Sequence, residues 1–400
     1  MNNRSPDNRF LISPEVLSSV LRPPLAGQMT ALGLMSGTSL DGIDVALLTT
    51  DGGRILHHGP AMMVSYEEEK RALLQAALEA ATHWSPETPL PETLVEAERV
   101  ITHAHKCAVD EFIETHGISR ETIDLIGFHG QTVLHQPGRQ RTVQLGQGDR
   151  LACETGIDVI NDFRSADVAV GGQGAPLASL YHMAMAVSMD METPLAVVNI
   201  GGIANVTFID IRNPSEAYLL ACDTGPGNGL LNDWIGRHLG LPHDQEGRLA
   251  LAGTVDELAL ARFMALDFFS EVPPKSLDRL HFDLGAVGHL NVADGAATLT
   301  AFTATAIARV VEHLPEAPVR WIICGGGRHN PALMAALSRC LSGTVEPAEA
   351  IGWRGDSLEA EAFAWLAVRS AQGLALSVPG TTGAPQPVCG GQRHLAKGNS

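Results

Sequence analysis

Leu32-Gly33-Leu34-Met35-Ser36-Gly37-Thr38-Ser39-Leu40-Asp41-Gly42-Ile43-Asp44-Val45-Ala46-Leu47-Leu48 is the stretch from which the rest of the chain is read. Two short apolar runs, residues 31–35 and 43–48, flank a polar segment with glycines at 37 and 42. That is the pattern of two buried strands joined by a tight turn. The turn offers a phosphate close backbone approach, N–H groups and three hydroxyls, on Ser36, Thr38 and Ser39. A plain hairpin tip needs less polar chemistry. No Gly-Lys-Ser/Thr follows and no Gly-x-Gly-x-x-Gly is present, so the turn is neither a Walker A loop nor a dinucleotide fingerprint.

Around this stretch, 400 residues suggest two or three domains at roughly 150 residues each. A hydrophobic fraction of 45% with 18% charged residues is that of a soluble globular chain. The net charge of −18 argues against nucleic acid or an anionic membrane as main partner. Six cysteines without close or zinc-type spacing point to buried, reduced thiols and a cytoplasmic setting. No run approaches a membrane span, and residues 1–28 lack a secretory core; they are expected to be an extension with a short helix at 14–21.

Beyond the opening hairpin the pattern predicts a third strand at 54–65 and helices at 66–81 and 91–116. Ala72, Leu73, Ala76, Ala77 and Ala80 are expected to form the apolar side of the first helix. A strand at 123–132 is predicted to run into a polar tip at His129-Gly130-Gln131-Thr132, followed by strands at 142–145 and 158–160 around a helix at 149–155. Residues 161–178 break the rhythm with two aspartates, an arginine, three glycines and a proline, and a domain hinge is expected there. A second strand–turn–strand series follows at 195–200, 203–210 and 217–222, its tip carrying Gly201 and Gly202. Helical patterns at 229–239, 248–269, 296–314, 330–341 and 357–372 alternate with strands at 321–324 and 343–347. The tail after Pro379 is expected at the surface. Two such modules argue for a duplicated α/β architecture with a cleft between the halves.

Several residues stand out chemically. Asp223 closes a predicted strand ahead of Thr224-Gly225-Pro226-Gly227-Asn228, where a carboxylate either faces a cleft or caps the next helix. From the residues the two readings stand level, Asn228 being a second cap candidate. Gly325, Gly326 and Gly327 join a strand to a helix, a turn that lets a nucleotide lie on bare backbone. Glu359 and Glu361, two apart on a helix, point to different faces, so they form no dyad and one is expected in solvent. His129 suits a ligand hydroxyl or a structural hydrogen bond equally; His103 and His105 carry no metal spacing.

The motifs G-L-M-S-G-T-S-L-D-G-I-D, H-G-Q-T-V, D-F-R…G-G-Q-G-A-P-L, D-T-G-P-G-N and C-G-G-G-x-H-N occur in this order from about Gly33 to Pro387. Together they resemble the anhydro-N-acetylmuramic acid kinases of the sugar kinase/Hsp70/actin superfamily. The resemblance implies an α/β, duplicated ribonuclease H-like (actin-like ATPase) fold of two domains with an interdomain cleft. The expected division is 1–28 extension, 29–170 N-terminal domain, 171–385 C-terminal domain and 386–400 tail.

The implied reaction opens 1,6-anhydro-N-acetylmuramic acid with water and phosphorylates O6 from ATP with Mg²⁺, in cell-wall sugar recycling. Asp223 is then the base. Ser36, Gly37, Thr38, Ser39, Leu40, Asp41, Gly42, Asp44, Gly201, Gly202, Asn205 and Gly325–Gly327 fall on the ATP side. His129, Gln131, Thr132, Arg164, Asp167 and Gly174 fall on the sugar side, Arg164 as partner of the lactyl carboxylate. Asp41 and Glu359 are the candidates for Mg²⁺. Lys275-Ser276-Leu277-Asp278-Arg279 departs from the family's K-S-T-G-R, which leaves that loop's contacts open. Another sugar or acid kinase of the superfamily, and an ATP-driven binding protein on the same fold, remain as rivals. The oligomeric state is open, a homodimer included.

Overall fold

The apolar runs of the opening stretch form strands β1 (Met29–Ser36) and β2 (Gly42–Thr50), paired antiparallel. The structure is a computed structural model that describes residues 8–21, 27–37, 40–85, 88–277 and 282–396. Helix α1 (Pro14–Leu21) precedes β1; β3 (Ile55–Ser65), α2 (Glu68–His83), α3 (Glu92–His116), β4 (Leu125–Gln136), β5 (Arg141–Leu145), α4 (Gly148–Thr155) and β6 (Val159–Asn161) follow the hairpin. Two short helices come next, α5 (Ser165–Ala169) and α6 (Ser179–Ser188). The second series runs β7 (Leu195–Ile200), β8 (Ile203–Asp210), β9 (Tyr218–Pro226), α7 (Gly229–Leu239), α8 (Arg248–Ala252), α9 (Glu257–Met264), α10 (Val292–Arg309), β10 (Arg320–Cys324), α11 (Pro331–Cys340) and β11 (Thr344–Pro347). Helices α12 (Leu358–Ala371) and α13 (Pro379–Thr382) and strand β12 (Gln392–His394) close the described chain.

The chain divides into two compact units. The first takes residues 13–191, 357–379 and those from 384 on; the second takes those up to 12 together with 192–356 and 380–383. The chain therefore crosses at 191/192 and 356/357, and again near its ends at 12/13, 379/380 and 383/384, whereas the residues predict a single hinge near 170. The reason is packing: α6 and α12 bury their apolar sides in the first unit.

In the first unit the strand order is β12-β6-β4-β1-β2-β3, with β5 paired to β4. β1–β3 form an antiparallel meander, while β4 runs parallel to β1 and β6 parallel to β4. Side chains alternate across β1. Leu32 and Leu34 enter a core with Leu74, Ala77, Ile101 and Phe112 of α2 and α3, while Gly33 faces α12. Gly33 pairs in register with Gly127 of β4. A Cβ on Gly33 would stand 1.8 Å from the Ala360 carbonyl oxygen, and one on Gly127 2.2 Å from that of Phe363. The sheet is bare at this pair because a helix backbone lies on it.

The second sheet has the order β11-β10-β7-β8-β9. Again a three-stranded antiparallel meander, β7–β9, joins two parallel strands, β10 and β11. Cores of β-branched and aromatic residues lie around it, one including Val198, Phe208 and Trp321, another stacking Phe263 on Phe302 with centroids 4.4 Å apart.

Several sequence expectations are corrected here. On α2 the buried stripe is Leu74, Ala77 and Ala81, with Ala72 and Ala76 exposed; alanine on every side leaves the period ambiguous, and the leucines decide it. Residues 129–132 are no tip but the middle of β4, which bends at Gly130 (φ 72°); Gln131 just beyond pairs with both Ser36 of β1 and Leu145 of β5. The pattern at 248–269 breaks at Gly253, where a Cβ would stand 2.0 Å from the Ala293 carbonyl oxygen. The tail is built in: Gly380, Thr381, Thr382 and Ala384 are buried, and β12 pairs antiparallel with β6. Before α1, Phe10 packs on Tyr218 and the Ile12 N–H donates to the Ala217 carbonyl oxygen at 2.9 Å. All six cysteines are free thiols, but only Cys222 and Cys324 are buried, the others lying on outward faces.

Candidate active site

The β1–β2 turn is held from below. Ser36 donates to Gln131 Oε1 at 2.6 Å, and its oxygen lies 2.8 Å from the Tyr66 hydroxyl. Gln131 Nε2 donates to the Gly37 carbonyl oxygen at 3.2 Å. With its one proton given to Gln131, Ser36 accepts from Tyr66. Burial, reinforced by the Asp41 and Asp44 carboxylates, holds the Tyr66 hydroxyl far above the usual phenol range, so it stays a donor. Ser36 and Gln131, expected to meet ATP and sugar, are thus engaged in shaping the turn. Leu40 takes a left-handed φ of 56° and sends its side chain into the core. Gly42 lies against the Val64 carbonyl oxygen in the sheet. Asp41 is exposed and Asp44 half-buried. Thr38 and Ser39 lie outside the described residues, as do Asp278 and Arg279.

A second group forms around β4 and α5. His129 is buried; its Nε2 accepts from Arg164 Nε at 3.1 Å and Nη2 at 3.0 Å, and its Nδ1 lies 2.8 Å from the Gly130 carbonyl oxygen. Burial first, then the adjacent guanidinium, holds His129 well below the usual imidazole range. The ring is therefore neutral with its proton on Nδ1. Arg164 Nη1 donates to the Gly174 carbonyl oxygen at 2.6 Å. The buried Asp167 accepts from the Gly174 N–H at 2.7 Å and from the Ser377 hydroxyl. His129, Arg164, Gly174 and Asp167 are thus brought together. Thr132 accepts from Gln144 on β5 at 3.3 Å. A cavity of about 220 Å³ opens beside His129, its polar walls including Thr142, Gln144, Asn161, Asp162 and Ser165. Asp162 is held at φ 53°, a strained conformation for a residue with a side chain.

In the second unit, glycine stretches distant in sequence converge. The N–H groups of Gly227 and Gly229 donate to the Gly202 carbonyl oxygen at 2.9 and 3.1 Å, and that of Asn228 to Gly201 at 2.7 Å. Gly325 (φ 72°) lies so near β7 that a Cβ would meet Asn199 Oδ1 at 2.3 Å, while Gly326 is exposed. Asn228, a cap candidate for α7, makes no side-chain cap; its amide reaches the Ile200 carbonyl oxygen at 3.5 Å. Arg328 pins this loop with ion pairs to Glu349 at 2.8 Å and Asp356 at 2.7 Å.

Asp223 stands inside β9, which continues to Pro226, and is paired with Asn205 of β8. A bulge follows at Thr224, whose hydroxyl donates to the Ala204 carbonyl oxygen at 3.1 Å. Asp223 is buried, and its Oδ2 accepts from the Leu277 N–H at 2.7 Å. A cavity of about 10 Å³, the space of one water, adjoins it.

Glu361, the neighbour that sequence left aside, is fully buried. It accepts from Tyr181 at 2.6 Å and Ser357 at 3.2 Å, with His58 Nδ1 at 3.3 Å. Glu359 is half-buried in the first turn of α12. The missed signal was Glu361 sharing a helix face with Trp365 and Arg369, four and eight residues on. Among the described residues no three His, Cys, Asp or Glu side chains cluster as a metal cage.

The same strand order in both sheets, a three-stranded meander flanked by parallel strands, defines a duplicated ribonuclease H-like fold of the actin-like ATPase class. The family model described as anhydro-N-acetylmuramic acid kinase matches residues 29–395, and the chain belongs to that family. An anhydro-N-acetylmuramic acid kinase from Rhodopseudomonas palustris (strain BisB18) is 51% identical, covering 91% of this chain and 99% of its own. One from Paramagnetospirillum magneticum (strain AMB-1) is 50% identical, covering 92% and 100%. Among solved structures, the activator of the 2-hydroxyisocaproyl-CoA dehydratase from Clostridium difficile with bound ADPNP gives a TM-score of 0.44 at 12% identity, covering 86% of this chain and 96% of its own. The chain is thus a member of an ATP-using kinase family with a small sugar substrate. Among the described residues no helix is long and apolar enough to cross a membrane.

Proposed function

We propose that the chain converts 1,6-anhydro-N-acetylmuramic acid, ATP and water into N-acetylmuramic acid 6-phosphate and ADP, with Asp223 as general base. The observation that carries the base assignment is a buried carboxylate fixed at one oxygen by the Leu277 N–H, beside a bulge and a water-sized space. Asp223 takes a proton from water as the water oxygen bonds to C1. The C1–O6 bond breaks, and its electron pair becomes the new O6–phosphorus bond. The bond from the γ-phosphorus to the bridging oxygen breaks, and its pair leaves with ADP. A positioned base contributes roughly 10²–10⁴ in rate.

The brace of Ser36 and Gln131 under the β1–β2 turn and the converging glycines at 201–202 and 325–327 support the reading of nucleotide sites. The neutral His129 and the hydroxyl- and amide-rich cavity suit hydroxyl and acetamido groups, with Arg164 orienting His129 on the side of the site assigned to the sugar and its lactyl carboxylate. A sparse set of carboxylates, Asp41 and Glu359, fits Mg²⁺, which keeps waters and phosphate oxygens, better than an ion needing an all-protein cage. When bound, the ion would neutralise phosphate charge. We place the reaction in the cytoplasm, where ATP is, without a nucleic-acid partner; light scattering would decide between monomer and homodimer.

Turnover in ¹⁸O-water tests the chemistry. The expected product gains phosphate plus one water, with the label on the anomeric oxygen. A phosphorylated product with the anhydro ring intact would sink the coupled mechanism. Asp223→Asn is expected to abolish turnover while ATP binding, read by calorimetry, persists; an active Asn variant removes Asp223 as base.

A further inference from the structure

The loop after Phe268–Phe269 grips Asp223 at two points. The Asp223 N–H donates to the Lys275 carbonyl oxygen at 3.0 Å, and two residues on the Leu277 N–H donates to Asp223 Oδ2 at 2.7 Å. The loop therefore sets both the backbone and the carboxylate of this residue. It is tied in turn by the Lys275 side chain. Lys275 is only 9% exposed, and its Nζ donates to the carbonyl oxygens of Phe268 at 2.7 Å and Glu271 at 3.1 Å. The ammonium also lies 4.0 Å from the centre of the Phe268 ring, a cation–π contact. A buried ammonium held by carbonyls and a ring is costly to place, and simple loop closure does not require it. Cys222 on β9, Glu271 in the loop, Arg309 on α10 and His313 beyond it are the other titratable groups around it.

We propose that Lys275 is a positioning residue for the base: its ammonium knots residues 268–275 into one shape, and that shape delivers the Leu277 N–H to Asp223 Oδ2. This rests on the reading of Asp223 as base. The Leu277 hydrogen bond favours the carboxylate over the acid. Releasing it both misplaces the base and raises the pH at which it loses its proton.

Lys275→Met keeps the apolar stem and removes the donors. The expected result is a fall in kcat of about tenfold to a hundredfold, the size of an ångström-scale misplacement. KM for ATP stays unchanged, and the acid limb of the kcat–pH profile moves upward. Lys275→Arg, which retains charge and donors, is expected to recover part of kcat and return the limb toward its original position. A folded Lys275→Met enzyme with unchanged kcat and acid limb overturns the proposal, as does a loss that falls on KM alone. Should Lys275→Met fail to fold, Phe268→Leu, which removes only the ring beneath the ammonium, is expected to shift the same limb, and an unmoved limb there overturns it equally. Asp223→Asn assayed alongside separates the two failures: an active Asn variant defeats the base, whereas an inactive one beside an unaffected Lys275→Met defeats only the positioning role.

Discussion

Arg164 and His129 show how a single side chain changes meaning once its partners are known. From sequence Arg164 was a fork of donors for a carboxylate. In the structure three of its N–H donors are directed at His129 Nε2 and the Gly174 carbonyl oxygen, so its first task is to orient a neutral imidazole. Arg164→Met leaves two buried acceptors unpaired. It is expected to lower stability by about 1–3 kcal/mol, measured by urea denaturation, and to raise KM for the sugar while leaving KM for ATP unchanged. An unaltered sugar KM would remove Arg164 from that side of the site. Neither effect was legible in D-F-R alone, because the partner lies 35 residues away on a strand that sequence ended too early.

At the scale of an element, α12 decides the architecture of the first unit. One face lies on the Gly33–Gly127 pair; another carries Glu361, Trp365 and Arg369 into buried hydrogen bonds. Trp365 Nε1 donates to the Gly53 carbonyl oxygen at 3.1 Å. Arg369 donates to the carbonyl oxygens of Gly52 at 2.7 Å and Ala375 at 2.7 Å and to the Ser19 hydroxyl at 2.9 Å. Burial lowers the Arg369 guanidinium to about 10, still charged at neutral pH. Gly33→Ala is expected to cost about 3 kcal/mol or more, because the obstruction is helix backbone that cannot rotate away. Arg369→Leu strands three acceptors and is expected to cost a similar amount, about 3 kcal/mol. Urea midpoints read both, and a Gly33→Ala protein of unchanged midpoint would show that α12 can move off the sheet. The helix itself was plain in the sequence from its apolar run, but its seat on two glycines was not.

For the molecule as a whole, the buried histidines set the response to acid. His105 and His135 are lowered to about 4 and His182 to about 3, in each case first by burial, and His129 lies well below its usual range. All four fall within residues 13–191 of the first unit. Folded they are neutral, whereas unfolded they protonate near pH 6.5. Their stabilising effect is therefore present above about pH 6.5 and lost as pH falls below it. His105, His135 and His182 each forfeit about 2 kcal/mol by pH 5, so that the three together reach the 5–15 kcal/mol of a typical domain, and His129 acts in the same direction. Hydrogen exchange at pH 7 and pH 5 is expected to show protection lost in the first unit before the second. Uniform loss across both units would assign acid sensitivity elsewhere.

The chain by itself determined most of its elements and their order: two strand–turn–strand modules, long helices such as that at 91–116, and motifs that resemble one kinase family. These are local signals, carried by period, turn chemistry and short runs of letters. Which residues touch was decided only by the tertiary structure. The opening hairpin was read correctly as a hairpin, yet Ser36 proved to face Gln131 and Tyr66, and Gly33 to face a helix more than 300 residues on. Helix α6 was invisible because it is apolar on nearly every side and shows no amphipathic period. Lys275 and Glu361 look like ordinary surface charges until burial and partners more than a turn away in sequence give them work. Such partners are set by how sheets and helices stack, and no window of adjacent residues contains that information.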